Sequence, residues 1–231
     1  LGVVINEIHY NPPDNTIREE FIELQNPTPA PIDVSLWRLT GGAELTIPQG
    51  TTIPAGGFLV LSESPATLLS RYGVVALGPW SGHLSSEGET VGLRDASGAK
   101  INEVSYDVEF PWPVGADGEG GSMALVNPAL DNDLGSSWRT ELPPTPGKTN
   151  GVFAVNAAPN IRQVHHSPQS PTSTNSIVVT AKVTDPEGVS NVRLLYQLVT
   201  PGNYLPSVLP VSVSQLIANP SLQPTPNSAF E

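Results

Sequence analysis

The sequence contains no cysteine and a single methionine in 231 residues. Without a thiol there is no disulfide scaffold, no thiolate zinc site, no thiol redox chemistry and no cysteine nucleophile. Charge is sparse as well: 14 % of the residues are charged, where about 25 % is usual in a globular domain. Cations are the scarcer sign, with 10 Lys and Arg against 22 Asp and Glu and a net charge of −12. A nucleic-acid binder needs a basic stripe to neutralise phosphates, so that class is excluded. No uninterrupted apolar run reaches the roughly 18 residues that a membrane-crossing helix needs, and no membrane span is expected.

What the chain has in quantity is proline (25) and glycine (21), too many for a helical protein yet short of a low-complexity composition. The acidity is unevenly placed. Residues 1–150 hold 7 basic and 19 acidic residues, whereas residues 151–231 hold 3 of each. This asymmetry divides the chain into an acidic domain over 1–150, a linker over 151–158 of mostly small and polar residues, and a second domain over 159–231. The sequence opens at Leu1 with neither an initiating Met nor a signal peptide, which reads as a processed protein or an excised piece.

Short β-rich runs broken by turn residues recur at intervals of about ten, the pattern of a sandwich or barrel. In the first domain the spacing predicts strands over Val3–Tyr10, Glu20–Gln25, Trp37–Leu39, Glu44–Ile47, Phe58–Leu61, Thr90–Arg94, Lys100–Ser105 and Ser122–Val126. Apolar residues alternate in several of them, as in Val91 with Leu93 and Met123 with Leu125, which predicts one packed and one wet face. Asp95-Ala-Ser-Gly98 reads as a hairpin turn. One short helix is expected at Pro65–Tyr72, with Ser64 as its cap, proline at its first position and Gly73 closing it. In the second domain strands are expected at Asn160–Val164, Ser176–Thr184 and Val189–Val199, with a fourth within Leu205–Leu216. An immunoglobulin-type sandwich needs about 100 residues, so this second domain is expected to be truncated and the natural chain to continue past Glu231. The fold class is thus all-β, with two consecutive immunoglobulin-like sandwiches.

The order of segments in the first half resembles the lamin-tail domain family. The resemblance is carried by Val4-Ile-Asn-Glu-Ile8, Glu20-Phe-Ile-Glu-Leu-Gln-Asn-Pro27, Trp37-Arg-Leu39, Ile53-Pro-Ala-Gly-Gly-Phe-Leu-Val-Leu61 and Leu84-Ser-Ser-Glu-Gly-Glu-Thr-Val-Gly-Leu93. It continues through Asn102-Glu-Val-Ser-Tyr106, Ser137-Trp-Arg139 and Pro146-Gly-Lys-Thr-Asn150. It covers about residues 1–150 and looks like the secreted bacterial form, since no heptad rod is present. What it implies is an immunoglobulin-like sandwich serving as a non-catalytic module, secreted or at the bacterial cell surface. Such modules accompany extracellular nucleases, phosphatases and kinases, often beside further immunoglobulin-like domains, which the second half resembles through Val183-Thr-Asp-Pro-Glu-Gly-Val189.

The catalytic constellations are missing. The four histidines, His9, His83, His165 and His166, accompany no nucleophile elbow, no His-Glu-x-x-His and no phosphate loop. Gly115–Gly121 is glycine-rich but opens no helix and reads as a turn. Neighbours in a strand face opposite ways, so His165 and His166 are expected to diverge. Glu7 and Glu23 could converge on one sheet face as an acid pair beside Asn6, Glu19 and Glu20, or simply be polar residues on the wet face. Asp131 and Asp133 are the candidate calcium ligands, because calcium takes six to eight oxygens; the other reading is a solvated turn or capping loop. Asp14-Asn15 and Asp117-Gly-Glu119 are lesser candidates. Trp37 and Trp138 are expected in the core. Trp80 and Trp112 sit in turn-like sequences, where they either anchor a sugar or protein partner or close over the ends of the sandwich. The function expected is a non-catalytic extracellular module for adhesion, assembly or positioning of a catalytic domain, with a protein or cell-surface partner. A surface-layer or filament subunit, self-assembled by strand addition, is the second reading, and a metal-assisted hydrolase the third.

Overall fold

The structure, a computed structural model, describes residues 2–14, 16–172 and 174–194. In chain order the elements are β1 (Val4–His9), β2 (Phe21–Gln25), β3 (Ile32–Asp33), β4 (Arg38–Thr40), β5 (Ala43–Thr46), β6 (Thr52–Ile53), β7 (Phe58–Ser62) and α1 (Pro65–Tyr72). There follow β8 (Ser81–Gly82), β9 (Glu89–Arg94), β10 (Lys100–Tyr106), β11 (Ser122–Leu125), β12 (Trp138–Glu141), β13 (Asn160–Ser167) and β14 (Val178–Thr184).

Two five-stranded sheets carry the fold, with strand orders β12-β11-β1-β2-β7 and β10-β9-β4-β5-β8. The pairings within them are antiparallel. One apolar cluster joins their facing sides: Ile8, Ile22, Leu24, Leu61, Met123 and Leu125 from the first sheet, and Leu39, Ala43, Val91, Leu93 and Val104 from the second. The fold is therefore an all-β, immunoglobulin-like sandwich.

The expectation of one wet face fails for the first sheet. Every residue of β1 and β11 is buried, and so are the first four of β2. The reason is a second layer on the outer side. Helix α1 and the segment after it cover one half, where Phe21, Val60 and Leu68 form a small cluster with Tyr72, Val74 and Ala76. The half-exposed Arg71 adds an ion pair to the buried Glu19 at 2.8 Å. A polar strap over residues 143–153 covers the other half. The helix has the expected bounds and closes at Gly73 in the left-handed conformation, φ 68°. Ser64 makes no side-chain cap; its hydroxyl lies 2.8 Å from that of Thr67 instead. At the Asp95–Gly98 turn, Asp95 Oδ1 accepts from the Ser97 and Ala99 amides at 2.8 and 2.9 Å.

Among the described residues, those up to Val189 pack as one compact unit. Within that unit, β13 and β14 pair with each other around a bulge between Arg162 and His165. The hairpin leans on the sandwich: Arg139 Nη2 donates to the Ala158 carbonyl, the Ala157 amide donates to Glu187 at 3.2 Å, and Lys182 lies 4.9 Å from the Phe110 ring centroid. Residues 189–194 contain no strand, and the remainder of the strand expected at Val189–Val199, with the one within Leu205–Leu216, lies outside the described residues.

Candidate functional site

The sequence places Glu7 and Glu23 seventeen positions apart, and the β1–β2 register sets them directly opposite each other. Both are fully buried on the outer face of the first sheet, beneath the strap. Glu7 accepts from Ser122 Oγ at 2.5 Å and from the Thr145 amide at 2.8 Å. Glu23 accepts from the Gly147 amide at 2.5 Å and from Asn6 Nδ2 at 2.8 Å. Asn150 completes the fastening, donating to the Asn6 and Leu125 carbonyls at 3.2 and 2.8 Å. Further along, Glu141 accepts from the Val152 amide at 2.9 Å.

Like charges facing each other in a dry site cannot both ionise at low cost. Burial pushes Glu7 up to about 7, against the lowering effect of its Ser122 and Thr145 hydrogen bonds and with Glu141 adding to the rise. Burial and then the neighbouring Glu7 push Glu23 up to about 8. The two carboxyls do converge, but as buried pegs for backbone amides, not as an acid pair facing a cleft. The reading of them as wet-face residues is corrected by the same strap. His9, on the same face, is buried beside Phe21 with Nδ1 at 3.0 Å from the Gly121 carbonyl, and burial lowers it to about 4. The imidazole is therefore neutral with the proton on Nδ1.

Around Asp131 and Asp133 the carboxylates cap backbone: Asp131 Oδ1 accepts from the Asp133 amide at 3.0 Å and Asp133 Oδ1 from the Ser105 amide at 2.6 Å. Between them the buried Asn132 exchanges amide hydrogen bonds with Asn102. Asp14 caps Thr16, and Asp117 accepts from Asn11 at 2.7 Å. Asn15 lies outside the described residues. Trp80 and Trp112 are buried, at 6 % and 7 % exposure, and belong to the core cluster; Trp112 packs 6.4 Å from Trp138. Neither presents its ring as a surface anchor. Trp37 is half-buried against the same core. His165 and His166 are both exposed, with their ring centroids 6.4 Å apart, although they hold consecutive register positions opposite Thr180 and Val179 beyond the bulge in β13.

A different group converges where no motif announces it. Phe21 of β2 pairs with Ser62 of β7, so the next positions outward, Glu20 and Glu63, also face each other. Glu63 Oε1 accepts from the Glu20 amide at 3.2 Å, and Glu20 Oε2 accepts from the Leu84 amide at 3.0 Å. His83 Nδ1 lies 3.8 Å from Glu63 Oε2. The three line a cavity of about 310 Å³ with Tyr10, Arg18 and Ile17. Their ligand atoms all lie within 4.8 Å of one another, the one such group of three among the described residues. Burial, with Glu63 and Glu89 nearby, raises Glu20 to about 7. Positions 20, 63 and 83 share no spacing signal; only knowledge of the β2–β7 register would have linked them.

The class of protein is defined by the fold: a two-sheet, immunoglobulin-like sandwich. Within that class, residues 1–107 match the family model of the Lamin Tail Domain, a non-catalytic immunoglobulin-like fold. The match ends before β11 and β12, which complete the same sheet in this chain, and before the strap that covers it. No curated protein matches the sequence. Among the described residues, no helix is long and apolar enough to cross a membrane.

Proposed function

We propose that the chain is a non-catalytic binding or structural module, secreted or at the bacterial cell surface, that mediates adhesion or assembly or positions a catalytic domain. The observation that carries this reading is the use made of the polar core. On the outer face Glu7, Glu23 and Glu141 are engaged by the amides of the strap and Glu19 by Arg71, and all four are buried. The family matched over residues 1–107 is itself non-catalytic. An acidic, soluble sandwich suits a cationic protein or cell-surface partner.

Self-assembly by strand addition is the second reading, favoured by the β13–β14 hairpin. Among the described residues its two strands pair only with each other, and Ile161, Val164, Val178 and Val179 are exposed. Such an edge is a template for another chain.

The test is an assay of residues 1–231 on phosphoester and glycan substrates, with and without a chelator. No turnover above buffer is expected. Turnover that chelation abolishes would replace this reading with a metal-assisted hydrolase.

A further inference from the structure

We propose that Glu20, Glu63 and His83 form a binding site for a first-row divalent cation of the zinc type, independent of any partner surface. Three observations converge. The ligand atoms lie within 4.8 Å of one another, whereas ligands about 2.0–2.2 Å from a zinc ion stand roughly 3–4 Å apart. Closure thus needs only a small movement, and His83, with its side chain 71 % exposed, is free to make it. The two carboxylates are held from behind: one oxygen of each is fixed by a backbone amide. Glu20 Oε1 and Glu63 Oε2 have no hydrogen-bond donor among the described residues.

Two buried carboxylates side by side need a compensating cation or a proton. Arg18 borders the cavity but forms no ion pair with either among the described residues.

The donor set selects the ion. Three protein ligands with open positions and one imidazole nitrogen suit zinc or a neighbouring first-row ion. Calcium, which takes six to eight oxygens, is poorly served by two carboxylates and a histidine.

The experiment is calorimetric titration of residues 1–231 with zinc chloride at pH 7.5, followed by calcium chloride. One zinc per chain is expected, with calcium weaker. Because outer-shell partners alone are worth about 10–100-fold in metal affinity, H83A, which removes a ligand, is expected to weaken zinc by at least about tenfold. E63Q, which keeps the oxygen that accepts from Glu20, is expected to weaken it too. H165A/H166A controls for adventitious binding on the hairpin and is expected to change nothing. Since His83 is exposed, the metal-free melt of H83A checks that the fold is intact. Absence of zinc binding, unchanged affinity in H83A, loss in H165A/H166A, or tighter calcium than zinc would each overturn the proposal. Zinc binding without turnover leaves the non-catalytic reading standing, so the two fail separately.

Discussion

Asn102 and Asn132 exchange side-chain hydrogen bonds of 2.8 and 3.1 Å and together hold the backbone of Ile5. Asn102 Oδ1 accepts from the Ile5 amide at 2.9 Å, and Asn132 Nδ2 donates to the Ile5 carbonyl at 3.2 Å. Ile5 borders the bulge in the β1–β2 ladder. The asparagine pair thus ties the first sheet to β10 of the second. Asn102→Ala leaves a buried amide and the partner side chain unsatisfied, and is expected to cost about 2–4 kcal/mol, read as a shift in the denaturant midpoint at unchanged slope.

The buried carboxylates predict an unusual pH response. Glu7 and Glu23 have native values of about 7 and 8 against an ordinary 4.5, so the native state holds more protons than the unfolded chain between those limits. Their stabilisation is complete below about 4.5 and is lost as pH rises through 7 to 8. Glu141 and each other are the charged groups facing them. His9 acts oppositely, since a native value near 4 against 6.5 makes stability rise with pH between those values. Above pH 6.5 only the carboxylates remain, and the melting temperature is expected to fall from pH 6.5 to pH 8.5. The double variant E7Q/E23Q is expected to flatten most of that fall, Glu20 keeping its own share.

The Arg71–Glu19 pair docks the last turn of α1 on the sheet. Arg71→Ala strands a buried carboxylate and is expected to cost about 1–3 kcal/mol, less than a fully buried pair because Arg71 is half-exposed. In R71A/E19Q the cost is expected to be smaller than the sum of the single changes, a coupling that a double-mutant cycle measures.

Trp112 separates packing from recognition. Trp112→Ala is expected to destabilise by about 3–5 kcal/mol, as large-to-small core changes do. An unchanged melt would contradict its place in the core. Gly135→Ala probes the same contact from outside. A Cβ there would stand 2.9 Å from Cδ2 of the Trp112 ring, so a loss of about 1–3 kcal/mol is expected from overpacking.

Periodicity and turn chemistry were enough to read the strands that alternate, the Asp95–Gly98 turn and α1 with its bounds. β12 escaped because Trp138-Arg-Thr-Glu141 has one large apolar residue and no alternation; pairing with β11 makes it a strand. The two-residue strands β3, β6 and β8 are likewise products of pairing and not of local preference. The strap was legible only as a sequence resemblance at Pro146–Asn150, and nothing local told that it would bury Glu7 and Glu23. A carboxylate in a strand reads as solvated until the covering layer is known. The cavity group of Glu20, Glu63 and His83 depends on register, which no one-dimensional pattern carries.

The position of β1 has a consequence for how the domain is made. It lies in the middle of the first sheet, between β2, its near neighbour in sequence, and β11, to which it is joined through Glu7 opposite Ala124. A hairpin of β1 and β2 can form early, but the other edge of β1 waits for a partner more than a hundred residues onward. Loop closure of that length is slow and precedes any reward from packing. Until it occurs, β1 offers a bare apolar edge and Glu7 lacks both Ser122 and Thr145. The segment that carries the family signature is therefore not a folding unit, and a fragment ending at residue 107 is expected to aggregate where one ending after the strap refolds.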